Sequence, residues 1–97
     1  MNLYHISQEE NDDYDTYSDM VVAAKSEGAA ALIHPGDRSM YEDNYTHPSY
    51  VVPTLEDVWK NNSDCWCSSP DKVKVKYIGK AAASIKKGII CASFHAG

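Results

Sequence analysis

The sequence predicts an α+β protein: a small antiparallel sheet of about four strands, in the order β-β-α-loop-α-β-β, with one or two short helices on one face. Length is the first observation, because 97 residues suit a single domain covering residues 1–97. The second is that strand patterns come in pairs near the two ends of the chain and do not alternate with helices. The third is the segment 72–77, where lysines alternate with Val73, Val75 and Tyr77. This period of two predicts one buried face and one lysine-coated face.

The other strands are predicted by local patterns. Residues 2–7 alternate and are rich in strand formers, residues 20–24 are a short apolar run, and residues 89–94 form another after a tight turn at 85–88. Residues 8–19 hold six acidic side chains, no basic one and several turn formers. An exposed loop is therefore expected at 8–19.

Two short helices are predicted by their N-caps. Ser26 precedes an alanine-rich run that stops at His34 and Pro35, because the residue before proline is pushed out of the α region. His34 is expected to interact with the dipole at the end of this helix. Thr54 and Asp57 stand at capping-box spacing and begin a second helical turn. The side chains expected to be buried by that turn are Leu55, Val58 and Trp59.

Charge is divided unevenly along the chain. Residues 1–64 carry thirteen acidic side chains against three basic ones, a net of −10, whereas residues 65–97 carry six lysines against Asp71, a net of +5. An acidic body joined to a basic C-terminal strand region is expected, which bears on partners and solubility. The lysines are interpreted as a solvated strand face or as protection of a sheet edge, because few aromatic residues lie among them. No direct contact with nucleic acid is expected.

The Cys65-Trp66-Cys67 triplet is a weak candidate for a metal site. Zinc sites use cysteine pairs separated by two to four residues and four ligands in all, whereas one residue separates this pair. No metal or cofactor is expected, and Trp66 is expected to pack inward beside thiols whose exposure makes them prone to oxidation. Three cysteines and the lack of a hydrophobic leader favour reduced thiols in a cytoplasm. No apolar run approaches the roughly 20 residues of a membrane span.

No catalytic constellation is predicted. Cys91 and His95 share one face of the last predicted strand, but a separation of about 13 Å, at 3.3 Å per residue, keeps them from sharing a proton. His5, on another strand, could approach either residue, as could many residues in so small a chain. A non-enzymatic protein is therefore expected.

The segment 11–17 is the candidate interaction surface. An EF-hand calcium loop would place an oxygen ligand, a glycine and a glutamate where Tyr17, Ser18 and Ala24 stand, so an EF-hand is not predicted and only weak cation binding stays open as an alternative. Carboxylates interleaved with tyrosines suit a protein contact, because tyrosine offers a large area and a polar tip at low entropic cost. The alternative, that both tyrosine rings fold back onto the sheet, stays open. The candidate protein-binding residues are Asp12, Asp13, Tyr14, Asp15 and Tyr17.

Several segments, none of them catalytic, form a recognisable set. They are Tyr4-His5-Ile6-Ser7-Gln8, Asp13-Tyr14-Asp15-Thr16-Tyr17, Val21-Val22-Ala23-Ala24 with Ile33-His34-Pro35, the run SPDKVKVKYIG over 69–79, and Ala92-Ser93-Phe94. The chain thus resembles a group of small proteins encoded by bacteriophages and prophages. Residues 37–68 lie outside the resemblance. The resemblance implies a phage source and a location in the host cytoplasm, and it implies no active site.

Three hypotheses for function follow. The first is a phage accessory protein that binds a host protein with a basic or nucleic-acid-binding surface, in the manner of an inhibitor of a defence complex such as CRISPR. The second is a small-ligand or nucleotide-binding module built from the aperiodic region 36–50. The residues available for it are Arg38, Tyr41, Tyr45 and His47. The third is a minor structural component of a virion, which would form a symmetric homo-oligomer.

Overall fold

Four antiparallel strands form one sheet in the computed structural model, which describes residues 1–12, 15–37, 40, 54–62 and 64–95. Strand β1 is Asn2–Ser7, β2 is Thr16–Ala24, β3 is Lys74–Lys80 and β4 is Gly88–His95. Their order across the sheet is β3-β1-β2-β4. Together with two short helices, this confirms the predicted α+β class.

The two helices begin at the predicted caps. Helix α1, Glu27–Ala31, starts after Ser26, whose hydroxyl accepts a hydrogen bond from the Ala29 N–H at 3.1 Å. Helix α2, Leu55–Asn61, starts after Thr54, whose hydroxyl accepts from the Asp57 N–H, also at 3.1 Å. Each cap satisfies one of the backbone donors that the first turn of a helix leaves without a partner. A 3₁₀ turn, Pro70–Lys72, leads into β3.

The core lies on one face of the sheet. Alternate residues of β1 and β2 point toward it, and the helices and the segment around Trp66 cover it. The largest buried members of the cluster are Tyr4, Ile6, Met20, Val22, Ile33, Trp59, Trp66 and Ile89. Val58 is also buried as predicted, but Leu55 is 43% exposed, so its predicted burial is wrong. Leu55 is the first residue of a two-turn helix, which turns only Val58 and Trp59 toward the sheet.

Strand β2 is four residues longer than predicted. Thr16–Asp19 belongs to the strand and pairs with the end of β4, so the prediction of a loop over 8–19 is wrong for its last four residues. The prediction is also wrong for Gln8, which is 5% exposed. Thr16 is 1% exposed, and the Tyr17 N–H donates to the carbonyl of Cys65 at 2.9 Å. Long-range contacts thus outweigh the acidic, turn-rich composition.

Strands β3 and β4 are the two outer strands of the sheet. The connection 81–87 runs along one end of the sheet, past the start of β1, where the Ala81 N–H donates to the carbonyl of Met1 at 3.0 Å. Its turn closes between Ala82 and Ile85, so the turn predicted at 85–88 lies a few residues too late. The buried face predicted for β3 is only partial, since Val75 is half-buried and Tyr77 is 50% exposed.

No helix in the described part of the chain is long and apolar enough to cross a membrane.

Candidate functional site

The acidic loop, residues 8–15, connects β1 to β2 and is held in place by the buried side chain of Gln8. The Gln8 amide donates to the carbonyls of Asn11 at 2.6 Å and Tyr17 at 2.9 Å. Its oxygen accepts from the Asn11 N–H at 2.8 Å. One amide therefore ties the start of the loop to its own middle and to the start of β2. A buried amide whose hydrogen bonds are all made fixes backbone geometry, because breaking any of them leaves a buried polar group without a partner.

The acidic loop also docks on the Cys-Trp-Cys segment, residues 64–69. The Asn11 side chain donates to the carbonyl of Asp64 at 2.8 Å. The Glu10 carboxylate accepts from the backbone N–H of Ser68 at 2.8 Å and from its hydroxyl at 3.1 Å. The hydroxyl and backbone hydrogen bonds from Ser68, with the nearby Lys72 ammonium, lower the pKa of Glu10 below its usual 4.5. The two segments that the sequence singled out, more than fifty residues apart, thus form one surface.

The basic C-terminal region is not separate from the acidic one. Because β3 pairs with β1, Lys74 lies 2.9 Å from the Glu9 carboxylate and Lys72 lies 3.7 Å from that of Glu10. These exposed ion pairs contribute little to stability, but they offset the charge of the first part of the loop. At this end of the sheet the predicted basic strand region therefore lies directly against the acidic loop.

Two of the five predicted protein-binding residues are exposed carboxylates. Asp12 and Asp15 are both exposed, and Asp15 has a backbone φ of 60°, the left-handed conformation that aspartate and asparagine adopt more readily than most residues. Asp13 and Tyr14 lie outside the described residues. The described part of the loop therefore presents the carboxylates of Asp12 and Asp15 at the surface, in addition to those of Glu9 and Glu10.

Tyr17, the fifth predicted residue, folds back onto the sheet. It is half-buried against the core cluster, and its ring centroid lies 4.8 Å from that of Phe94 on β4. For Tyr17 the alternative interpretation, that the ring packs on the sheet, is the one observed. At the loop, the backbone carbonyl of Tyr17 accepts a hydrogen bond from the Gln8 side-chain amide.

The Cys-Trp-Cys segment is a packing element. Trp66 and Cys67 are fully buried, as predicted for Trp66. The thiols of Cys65 and Cys67 donate to the carbonyls of Asn62 at 3.3 Å and Ser69 at 3.4 Å. Burial raises the pKa of both thiols, that of Cys67 to about 11, so they are protonated at neutral pH. The predicted proneness to oxidation is wrong for Cys67, since it is buried. The exposed thiol is Cys91 on β4.

Metal ligands do not gather in the described part of the chain. No group of three or more histidine, cysteine, aspartate or glutamate side chains is placed to hold an ion there. Residues proposed for a ligand pocket, Arg38, Tyr41, Tyr45 and His47, lie outside the described residues.

A buried histidine is the main feature that sequence reasoning missed. His34 is completely buried, and its ring packs edge-on against Trp59 with centroids 4.7 Å apart. Its Nδ1 accepts from the Gly36 N–H at 2.9 Å, so the neutral ring carries its proton on Nε2, which has no hydrogen-bond partner among the described residues. Helix α1 ends three residues earlier, so the predicted interaction of His34 with its dipole is wrong.

The environment of His34 favours the neutral ring. Burial lowers its pKa from 6.5 to about 4, against the opposing attraction of the Asp37 and Asp64 carboxylates. A doubly protonated ring would carry a proton on Nδ1 as well. This N–H would point at the Gly36 N–H, so two hydrogen-bond donors would face each other. The His-Pro-Gly turn brings the Gly36 N–H to the ring of His34, and this contact, like the burial, is not evident from the sequence.

The face of the sheet opposite the core carries one polar pair at its centre. His5 Nε2 lies 2.8 Å from an Asp19 carboxylate oxygen, and the Ser18 hydroxyl donates to the other oxygen at 3.0 Å. Cys91 lies in the same row as His5, but two strands away, about 10 Å at the usual spacing. The pair therefore does not activate the thiol.

Comparison of the chain with protein-family models, with curated proteins and with solved structures finds no match.

Proposed function

We propose that the protein binds another protein through the acidic loop, and that the partner presents a basic or nucleic-acid-binding surface. The observation that carries the proposal is the combination of exposed carboxylates at Asp12 and Asp15 with a loop tied down by Gln8 and by the Cys-Trp-Cys segment. The anchored part of the loop, residues 8–11, loses less conformational entropy on association than a flexible segment would. Exposed carboxylates next to it also steer a basic partner and set its orientation.

The kind of partner is supported by the sequence. The resemblance to phage and prophage proteins favours a host protein in the host cytoplasm, and carboxylates placed where phosphates would sit favour one that handles nucleic acid. The proposal places no catalytic step on the protein.

The test uses tagged protein on a bacterial host lysate at low and raised salt, followed by purification of the captured protein and measurement of its affinity. The test variant carries Asp12→Asn, Asp13→Asn and Asp15→Asn, because asparagine keeps the shape of aspartate and tolerates the left-handed backbone of Asp15. A matched control removes the same charge from exposed positions elsewhere. Its substitutions are Glu27→Gln, Glu56→Gln and Asp71→Asn.

We expect the loop variant to weaken the affinity for the partner about tenfold or more, and the control variant to bind nearly as the wild type does. Raised salt should weaken the wild-type complex, since exposed charges are screened. Equal binding by the two variants, or an affinity indifferent to salt, would contradict the proposal.

A further inference from the structure

The two edges of the sheet differ in how they are protected from pairing with another strand. Strand β3 exposes Lys74, Lys76 and Lys80 along one edge, and lysines on an edge strand oppose the approach of another strand. Strand β4 has no charged residue from Gly88 to Phe94. The edge of β3 is therefore protected by lysines, whereas that of β4 carries no lysine and has only a bulge at Ile90, between Ile89 opposite Val22 and Cys91 opposite Val21.

Strand β4 exposes apolar side chains beyond its first two residues. Ile90 is 48% exposed, Phe94 is 47% exposed, and the residues between them are exposed as well, whereas Gly88 and Ile89 are buried. The five residues after the bulge, 91–95, give a regular edge of about 17 Å at about 3.4 Å each. Among the described residues no strand pairs with its outer side. Such an edge is long enough for a short strand to pair with it.

The ends of this edge carry opposite charges. Lys86 and Lys87 are exposed immediately before β4 begins. At the other end, His95 pairs with Thr16, which directly follows the exposed Asp15 of the acidic loop. The edge thus runs from a basic end, along an uncharged strand, to an acidic end.

We infer that the outer edge of β4 pairs with β4 of a second copy of this chain, antiparallel and about a two-fold axis, giving a continuous eight-stranded sheet. Antiparallel pairing places the lysines before β4 of each copy beside the acidic loop of the other. Parallel pairing would place like charges together, and pairing through β3 would set lysines against lysines. The β4 edge is therefore complementary to itself in one orientation, as a two-fold interface requires.

A regular pairing segment of β4 begins after Ile90. In the pairing with β2, Cys91 opposes Val21 and Ile89 opposes Val22, which leaves Ile90 as the extra residue of a bulge. A register centred on Ala92 then pairs Cys91 of one copy with Ser93 of the other, because opposed residue numbers sum to a constant in an antiparallel pair. The exposed Ile90 lies at each end of this segment, close to the second copy.

The test is sedimentation equilibrium of the full chain, up to about 100 μM protein. The chain offers a matched pair of variants, Ile90→Lys on β4 and Ile78→Lys on β3, since both isoleucines are 48% exposed on outer strands. We expect a wild-type dimer that Ile90→Lys weakens at least tenfold and that Ile78→Lys leaves intact. Circular dichroism shows whether each variant is folded.

A second pair of variants tests the charges. Lys86→Glu with Lys87→Glu should weaken the dimer severalfold more at low salt than at high salt, whereas Lys76→Glu with Lys80→Glu, the same charge change on the other edge, should not weaken it. A monomeric wild type would overturn the proposal and leave a segment of the same chain or a different protein as the occupant of the edge. Equal dissociation by the two isoleucine variants, or by the two lysine variants, would also overturn it.

Discussion

The buried His34 should make the stability of the protein depend on pH between neutrality and pH 5. Its pKa lies near 6.5 in the unfolded chain and at about 4 in the folded one, so the unfolded state binds more protons between these values. Stability is therefore fully present above pH 6.5 and is lost progressively as the pH falls toward 4. The pKa difference corresponds to about 3 kcal/mol in all, of which about 2 kcal/mol is lost between pH 7 and pH 5.

Urea unfolding at pH 7, 6 and 5 measures this loss, with the fluorescence of Trp59 and Trp66 as the signal because both are buried. Stopping at pH 5 avoids most of the titration of Glu10, whose pKa lies below 4.5 and whose contribution is lost only at lower pH. The variant His34→Gln does not titrate. It should be less stable at pH 7, because the contact with Trp59 is lost, but its free energy of unfolding should change little down to pH 5.

A second histidine provides the control. His5→Gln removes a half-exposed ring on the open face of the sheet and leaves His34 in place, so the loss that His34 causes should persist. If His34→Gln lost as much stability as the wild type between pH 7 and pH 5, the argument from burial of His34 would be refuted, and another group would have to supply the effect.

Two further predictions concern packing and thiol accessibility. A Cβ at Gly88 would meet the carbonyl oxygen of Met40, so Gly88→Ala should lower the free energy of unfolding by about 2 kcal/mol. A Cβ at Gly28 in α1 has its nearest neighbouring atom at 4.0 Å, so Gly28→Ala should raise the free energy of unfolding by about 0.5–1 kcal/mol. Urea unfolding measures both changes, and equal effects of the two substitutions would contradict this contrast. An aromatic disulfide reagent should label Cys91 at once and Cys67 only on unfolding, as peptide mapping of the labelled protein would show; prompt labelling of Cys67 in the folded protein would be inconsistent with its burial.

Local signals in the sequence were enough to predict much of the fold. Ser26 and Thr54 cap the two helices as predicted, because an N-cap acts on backbone groups within three residues. The alternation of lysines and apolar residues likewise located most of β3. These predictions hold because their determinants lie within a few residues, although the local turn signal at 85–88 placed its turn too late.

Determinants far apart in the chain were not predictable. Thr16–Asp19 has an acidic composition typical of a loop, yet it forms a strand because β4 and the carbonyl of Cys65 supply its hydrogen bonds. Nothing near residues 16–19 reveals either partner. The same holds for the outer positions of β3 and β4, since strands adjacent in sequence are usually adjacent in the sheet.

The candidate site shows the same difference between features set by local sequence and features set by distant contacts. Composition alone pointed to the carboxylates of the acidic loop, and Asp12 and Asp15 are indeed exposed. The anchors of the loop were missed, because Gln8 and Asn11 are ordinary polar residues in sequence and acquire a role only where Asp64 and Ser68 are brought beside them. The buried His34 was missed for a related reason: a histidine before proline shows no sign of burial until Trp59 packs on it.

The fold changes what the uneven distribution of charge means. Pairing of β3 with β1 brings Lys72 and Lys74 against Glu10 and Glu9, so the lysines of β3 reduce the acidity of one side of the loop. The exposed Asp15 then lies near the C-terminal end of β4, next to Thr16, and Lys86 and Lys87 precede the start of β4. A partner with a basic surface and a second copy of the chain would therefore compete for the same carboxylates. If both proposals hold, binding of the partner should weaken as the protein concentration rises into the range where dimers form.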